Sequence, residues 1–103
     1  MRDYEVKIKR AARVDMLELR IFLLGVISLQ GAERYMKAMR NEIESLGIYA
    51  DLFLPSRSKQ IRAIHPQARR MPSHNKQWQY IFHIEKDRVI VDRILQASSI
   101  KEI

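Results

Sequence analysis

The chain has 103 residues, 47% of them apolar and 30% charged, with three glycines and no cysteine. That length suits one domain with a core of its own, the composition argues against disorder or a coiled coil, and the lack of cysteine excludes disulfides and thiolate metal sites. Nineteen Lys and Arg stand against 12 Asp and Glu for a net charge of +7, and six of those cations, Arg57, Lys59, Arg62, Arg69, Arg70 and Lys76, lie between Leu52 and Ile84, where there is no acid.

Such a one-signed segment either attracts an anionic partner, nucleic acid or acidic polypeptide, or is a solvated basic face. The longest apolar run, Ile21 to Ile27, is far shorter than the roughly 20 residues a membrane-spanning helix needs. No apolar stretch behind Met1-Arg2-Asp3-Tyr4 could serve as a signal peptide, so the expected location is the cytoplasm, away from membranes.

Tyr4, Val6 and Ile8 alternate with Glu5, Lys7 and Lys9, the pattern of a half-buried strand. A helix then opens at Ala11-Ala12-Arg13, with Val14, Leu17, Ile21 and Leu24 at helical spacing and a second apolar set, Met16, Leu19, Leu23 and Val26, beside it. After Arg20 this helix carries no charge. Ser28 is a candidate N-cap for a second helix, whose apolar stripe runs through Ala32, Tyr35, Met36, Met39, Ile43 and Leu46, with Gly47 at the expected C-terminal glycine position. Two helices so closely joined predict an antiparallel hairpin.

Gly47 to Gln60 reads as irregular, Ile61 to Ile64 as a short extended piece, and Ala68 to Met71 as a strand carrying Arg69 and Arg70. Pro72-Ser73-His74-Asn75 reads as a turn. The β-hairpin Trp78 to Leu95 follows, folded at Glu85-Lys86-Asp87-Arg88. Its first strand puts Trp78, Tyr80, Phe82 and Ile84 on one face and Gln79, Ile81 and His83 on the other; its second puts Ile90 and Ile94 opposite Val91 and Leu95. The expected fold is α+β: an N-terminal strand, an antiparallel helical hairpin, then C-terminal antiparallel strands, with the helices on one face of a mostly antiparallel sheet. The other face should be concave, basic and half exposed.

Candidate chemistry is sparse. His65, His74 and His83 show no metal-ligand spacing, no glycine-rich phosphate loop exists, and carboxylates suited to acid-base work are scarce in the last third. No metal or cofactor is expected. Trp78, Tyr80 and Phe82 could form a stacking platform for single-stranded nucleic acid, but period two is equally the mark of any strand with one buried face.

The strand, then Ala12-Arg13-Val14-Asp15-Met16-Leu17-Glu18-Leu19 opening one helix and Ala32-Glu33-Arg34-Tyr35 opening the next, resembles the ParE/RelE superfamily of toxins from bacterial type II toxin-antitoxin, or plasmid stabilisation, modules. So does the ending, Ala68-Arg69-Arg70, Trp78 to Ile84 and Val89 to Leu95. The resemblance implies a cytoplasmic toxin of 103 residues in one domain, causing growth arrest and neutralised by a cognate antitoxin. RelE-like members cut mRNA on the ribosome with basic residues and a C-terminal Tyr or His. Here their penultimate-strand arginine falls on Gln79, and the tail from Gln96 to Ile103 has no Arg, His or Tyr. The cation that stabilises phosphate charge and the usual acid or base are thus both missing.

ParE-like members instead bind DNA gyrase, without catalytic residues, and the Arg69-Arg70 pair and closing strand look most like that branch. Its usual histidine after the last strand is Gln96 here. The rival readings are a ribosome-dependent mRNA endoribonuclease, for which Arg69, Arg70, Lys76 and His83 are the residues to examine, and a diverged non-toxic member. Under the ParE-like reading, Arg62, Arg69, Arg70, Lys76 and Arg93 are expected to contact target or antitoxin. The uncharged end of the first helix, Ile21, Phe22, Leu23 and Val26, is expected to dock the antitoxin, whose tail orders on binding, or alternatively to close a homodimer.

Overall fold

The computed structural model describes residues 3–101. Strand β1 (Glu5–Ile8) leads into helix α1 (Arg10–Leu24), a short connection, and helix α2 (Leu29–Glu44). Two single helical turns follow, α3 (Leu46–Tyr49) and a 3-10 turn (Ala50–Leu52), and a third, α4 (Lys59–Arg62), precedes the main sheet. Strands β2 (Arg69–Pro72), β3 (Trp78–Glu85) and β4 (Arg88–Gln96) then run antiparallel in sequence, ending in a 3-10 turn (Ala97–Ser99). The sheet order is β1-β4-β3-β2. β1 therefore lies parallel to β4, Val6 opposite Val89 and Ile8 opposite Val91, and is the one parallel member of an otherwise antiparallel sheet.

Alternation sets the faces. Val6 and Ile8 pack inward, while Glu5 and Lys7 form an ion pair outside at 2.9 Å. Ser28 caps α2, its hydroxyl accepting from the Gly31 N–H at 3.0 Å, and the α2 stripe Ala32, Met36, Met39 and Ile43 is buried against Tyr80, Phe82, Val89 and Val91 of the sheet. A smaller cluster, Ile61, Ala68 and Ile81, packs on the opposite face under α4.

Of the two apolar sets on α1, the one led by Leu19 and Leu23 meets the sheet, joined by Ala12 and Met16, whereas Val14, Leu17, Ile21 and Leu24 are 41–61% exposed. Gly47 is not a helix-terminating glycine. α2 ends at Glu44 with Ser45 as its C-cap, and Gly47 sits inside α3, where a Cβ would stand 2.9 Å from the Tyr4 carbonyl oxygen. Its carbonyl accepts the Tyr4 N–H at 2.7 Å, so the missing side chain lets the helical layer touch the chain entering β1. Ile61 to Ile64 is not extended either: Ser58 caps a helical turn there, accepting from the Ile61 N–H.

The faces of β4 also differ from simple alternation. A register shift between Ile81 and Phe82 pairs them with Arg93 and Val91, leaving Asp92 as an extra residue. Past this β-bulge the parity reverses, so Ile94 joins Val91 in the main core while Leu95 packs on the other face.

Tyr80 is fully buried, with its hydroxyl donating to Glu42 Oε1 at 2.9 Å. Burial, then the Glu42 carboxylate, push the phenol well above the usual tyrosine range. Because the folded-state value is raised, this stabilisation is complete below the unfolded value of about 10 and declines as pH rises past it. Stability measured by urea unfolding should fall more steeply above about pH 10 in the native protein than in Tyr80→Phe.

Candidate functional site

Three adjoining hollows that share lining residues form a surface track where α1, the β3–β4 ends and the 3-10 turn (Ala97–Ser99) meet. It begins as a groove of about 370 Å³ between α1 and β4, lined by Leu19, Phe22, Trp78, Ile94 and Leu95 with Asp15 and Glu18 along one wall. Trp78 and Gln96 carry it into a depression beside Lys76, and Ala97 connects that to a third hollow lined by Arg70, Pro72, Gln79 and Ile100. The track is thus apolar at its α1 end and basic at its β2 end. That arrangement fits an extended segment with apolar residues followed by acids, held by burial at one end and by charge at the other.

The track is rigidly mounted. Asp15 takes a two-pronged ion pair from Arg93 at 2.8 and 2.9 Å and also accepts the Ile94 N–H at 2.9 Å, tying α1 to β4. The Asp15 carboxylate, by hydrogen bond and charge, holds the Arg93 guanidinium above its already high range. At the other side the Trp78 indole N–H donates to the Tyr35 hydroxyl at 2.9 Å, which also accepts from Asn75 at 3.0 Å, locking the β2–β3 turn onto α2.

The residues singled out by sequence are dispersed. Arg69 and Arg70 are neighbours on a strand and point to opposite faces. Arg69, opposite Phe82, turns to the helical side and donates to the Phe53 carbonyl at 2.8 Å, its Nε buried without a partner; Phe53 itself packs edge-on against Phe82. Arg70, opposite Ile81, turns to the open face and lines the track. Lys76 is exposed in the β2–β3 turn, Arg62 is exposed at the end of α4, and Arg93 is engaged with Asp15. Ile21, Phe22 and Val26 are 60–64% exposed, while Leu23 is buried in the core at 7%. Arg69→Glu should therefore cost about 2 kcal/mol of stability through the lost charge-assisted bond, readable as a lower urea midpoint.

The open face also holds a buried polar cluster that sequence reasoning passed over. The His83 ring, 5% exposed, lies 2.7 Å from Asp92 through Nδ1 and 3.4 Å from Glu85 through Nε2. The His65 ring stacks on it face to face, centroids 3.6 Å apart and 2° from parallel. Lys9 comes within 3.6 Å of the other Asp92 oxygen. His83 and Asp92 are diagonal neighbours on the open face, since His83 stands opposite Ile90, two residues before Asp92 on β4. Among the described residues no group of three or more His, Cys, Asp or Glu is arranged to hold a metal ion, and no helix is long and apolar enough to cross a membrane.

Fold and track together define an α+β domain with a surface groove that runs from an apolar end to a basic one. No family model matches the sequence, and no curated protein matches it. Among solved structures, a chain from the "Chromosomal ParDE TA system from P. aeruginosa" superposes with a TM-score of 0.75 over 90% of this chain and 95% of that one, at 15% sequence identity. The protein has the ParE-like fold.

Proposed function

We propose that the chain is the toxin of a type II toxin-antitoxin module, held inert by a cognate antitoxin and acting, when free, by binding DNA gyrase rather than by cutting RNA. The likeness to the ParDE toxin-antitoxin structure supports the module. The track supports the antitoxin: a tail laid along Phe22, Trp78 and Leu95 would bury its apolar residues, and acids beyond them would meet Lys76 and Arg70. Of the four residues expected to dock the antitoxin, Phe22 lines that surface.

The observation that carries the choice of target is the scattering of the four residues an RNA-cutting centre would use. Arg69 faces the helices, Arg70 the open face, Lys76 sits in a turn, and His83 is covered by His65 and held by Asp92. General acid-base catalysis needs its groups around one reacting atom, within hydrogen-bond reach. Binding a protein target needs only complementary surface.

The test is induced expression in a bacterial host, with and without the antitoxin, following growth, a DNA-damage reporter and primer-extension maps of transcripts. Growth arrest with the reporter on and transcripts intact is the expected result. Arrest with codon-phased cleavage would replace this reading with a ribosome-dependent endoribonuclease. Absence of arrest would mean a non-toxic member with the same fold.

A further inference from the structure

Eight of the twelve exposed large apolar residues among those described lie between Val14 and Leu29, and the track accounts for only part of them. Its α1 wall is Asp15, Glu18, Leu19 and Phe22. Val14, Leu17, Ile21 and Leu24 form a separate line on the far side of α1 from the sheet, spaced alternately three and four residues apart. That spacing is the seam along which two helices pack knob into hole. A helix serving a single core needs only one apolar face, and α1 already has that face in Ala12, Met16, Leu19 and Leu23.

The flanks of the seam differ in sign. On one flank stand Arg13, whose Nε donates to the Ile8 carbonyl at 3.1 Å, and Arg20, ion-paired with Glu33 of α2, and the exposed side of α2 adds Arg34, Lys37 and Arg40. On the other flank stands Glu18, next to the Asp15–Arg93 pair. We propose that this outer seam joins two copies of the chain, α1 to α1, in parallel about a two-fold axis running along the helices. In that arrangement the cationic flank of each copy meets the anionic flank of the other, Arg13 against Glu18; an antiparallel pair would set like against like. Val26 and Ile27 of both copies then gather at one end and prolong the contact past Leu24. Arg10, exposed at the opposite end, bounds the apolar seam. The uncharged seam offers an acidic tail nothing to pair with, whereas its two flanks complement each other. The track remains open on each copy.

Sedimentation equilibrium of the purified chain tests this, and its outcome does not depend on toxicity. A mass of twice the 12.2 kDa chain is expected in the micromolar range. Leu17→Asp, at an exposed position, should give a monomer with an unchanged circular dichroism spectrum, while Phe22→Asp, on the track, should remain dimeric. Arg13→Glu or Glu18→Arg alone should weaken dimerisation at least tenfold, about 1.4 kcal/mol, and the two together should restore it. Because the chain has no cysteine, Val14→Cys and Leu24→Cys each report orientation: in a parallel pair each crosslinks to its own copy on oxidation. A monomer at all concentrations, or a dimer indifferent to Leu17→Asp, would overturn the proposal. Failure of both cysteine variants to crosslink would overturn the parallel arrangement.

Discussion

Phe82→Ala should lower stability by about 4 kcal/mol, within the range for truncating a fully buried aromatic ring. Phe82 is 0% exposed, sits on the central strand pair with Val91 opposite, and packs at right angles to Phe53, ring centroids 6.2 Å apart. Removing the ring leaves a cavity bounded by sheet and helix that the backbone cannot close, because β3 is hydrogen-bonded on both sides. A loss of that size is a large part of the roughly 5–15 kcal/mol of a typical domain. Urea unfolding should show a lower midpoint with an unchanged slope, and Phe82→Leu, which keeps most of the volume, should cost less than about 1.5 kcal/mol. Equal losses in the two variants would mean that the ring's volume is not what matters.

The second large effect is expected at Asp92. Its carboxylate is 1% exposed and receives His83 on one oxygen, with Lys9 near the other. Asp92→Ala strands the His83 ring N–H in a buried site and should cost about 3 kcal/mol. Asp92→Asn keeps an acceptor and should cost roughly a third of that. Pairing Asp92→Ala with His83→Ala in a double-mutant cycle should return a coupling of at least about 1 kcal/mol; strict additivity would show that the two residues act independently. The cluster is thus best understood as the attachment of α4 to the sheet, since His65, stacked on His83, lies just beyond α4.

Much of this architecture was legible from periodicity. Tyr80 and Phe82 against Ile81 and His83, the α2 stripe and the Ser28 cap all follow from spacings of two and of three to four. The single turn Lys59–Arg62 did not, because four residues are too few to display a helical period. Nor did the placement of Leu95, whose face was changed by one unpaired residue at Asp92. The α1 pattern showed two apolar sets, but which set met the sheet depended on how the helix lay across β4. For the site, Arg69 and Arg70 illustrate a different difficulty. Strand alternation already separates adjacent side chains, and treating them as a pair followed the family resemblance rather than the geometry. The track itself joins residues from α1, β2, β3, β4 and the closing turn, so no local motif could announce it.

The order of strands in the sheet bears on how the molecule is made. β1 has its only partner in β4, some eighty positions further along the chain, and β4 also completes β3. Until Gln96 has left the ribosome, β1 has nothing to pair with, β3 has only its short neighbour β2, and one wall of the track is missing. The helical hairpin, whose contacts are local, can form while synthesis is still under way. A nascent chain therefore exposes the apolar tip of α1 before its own sheet has closed.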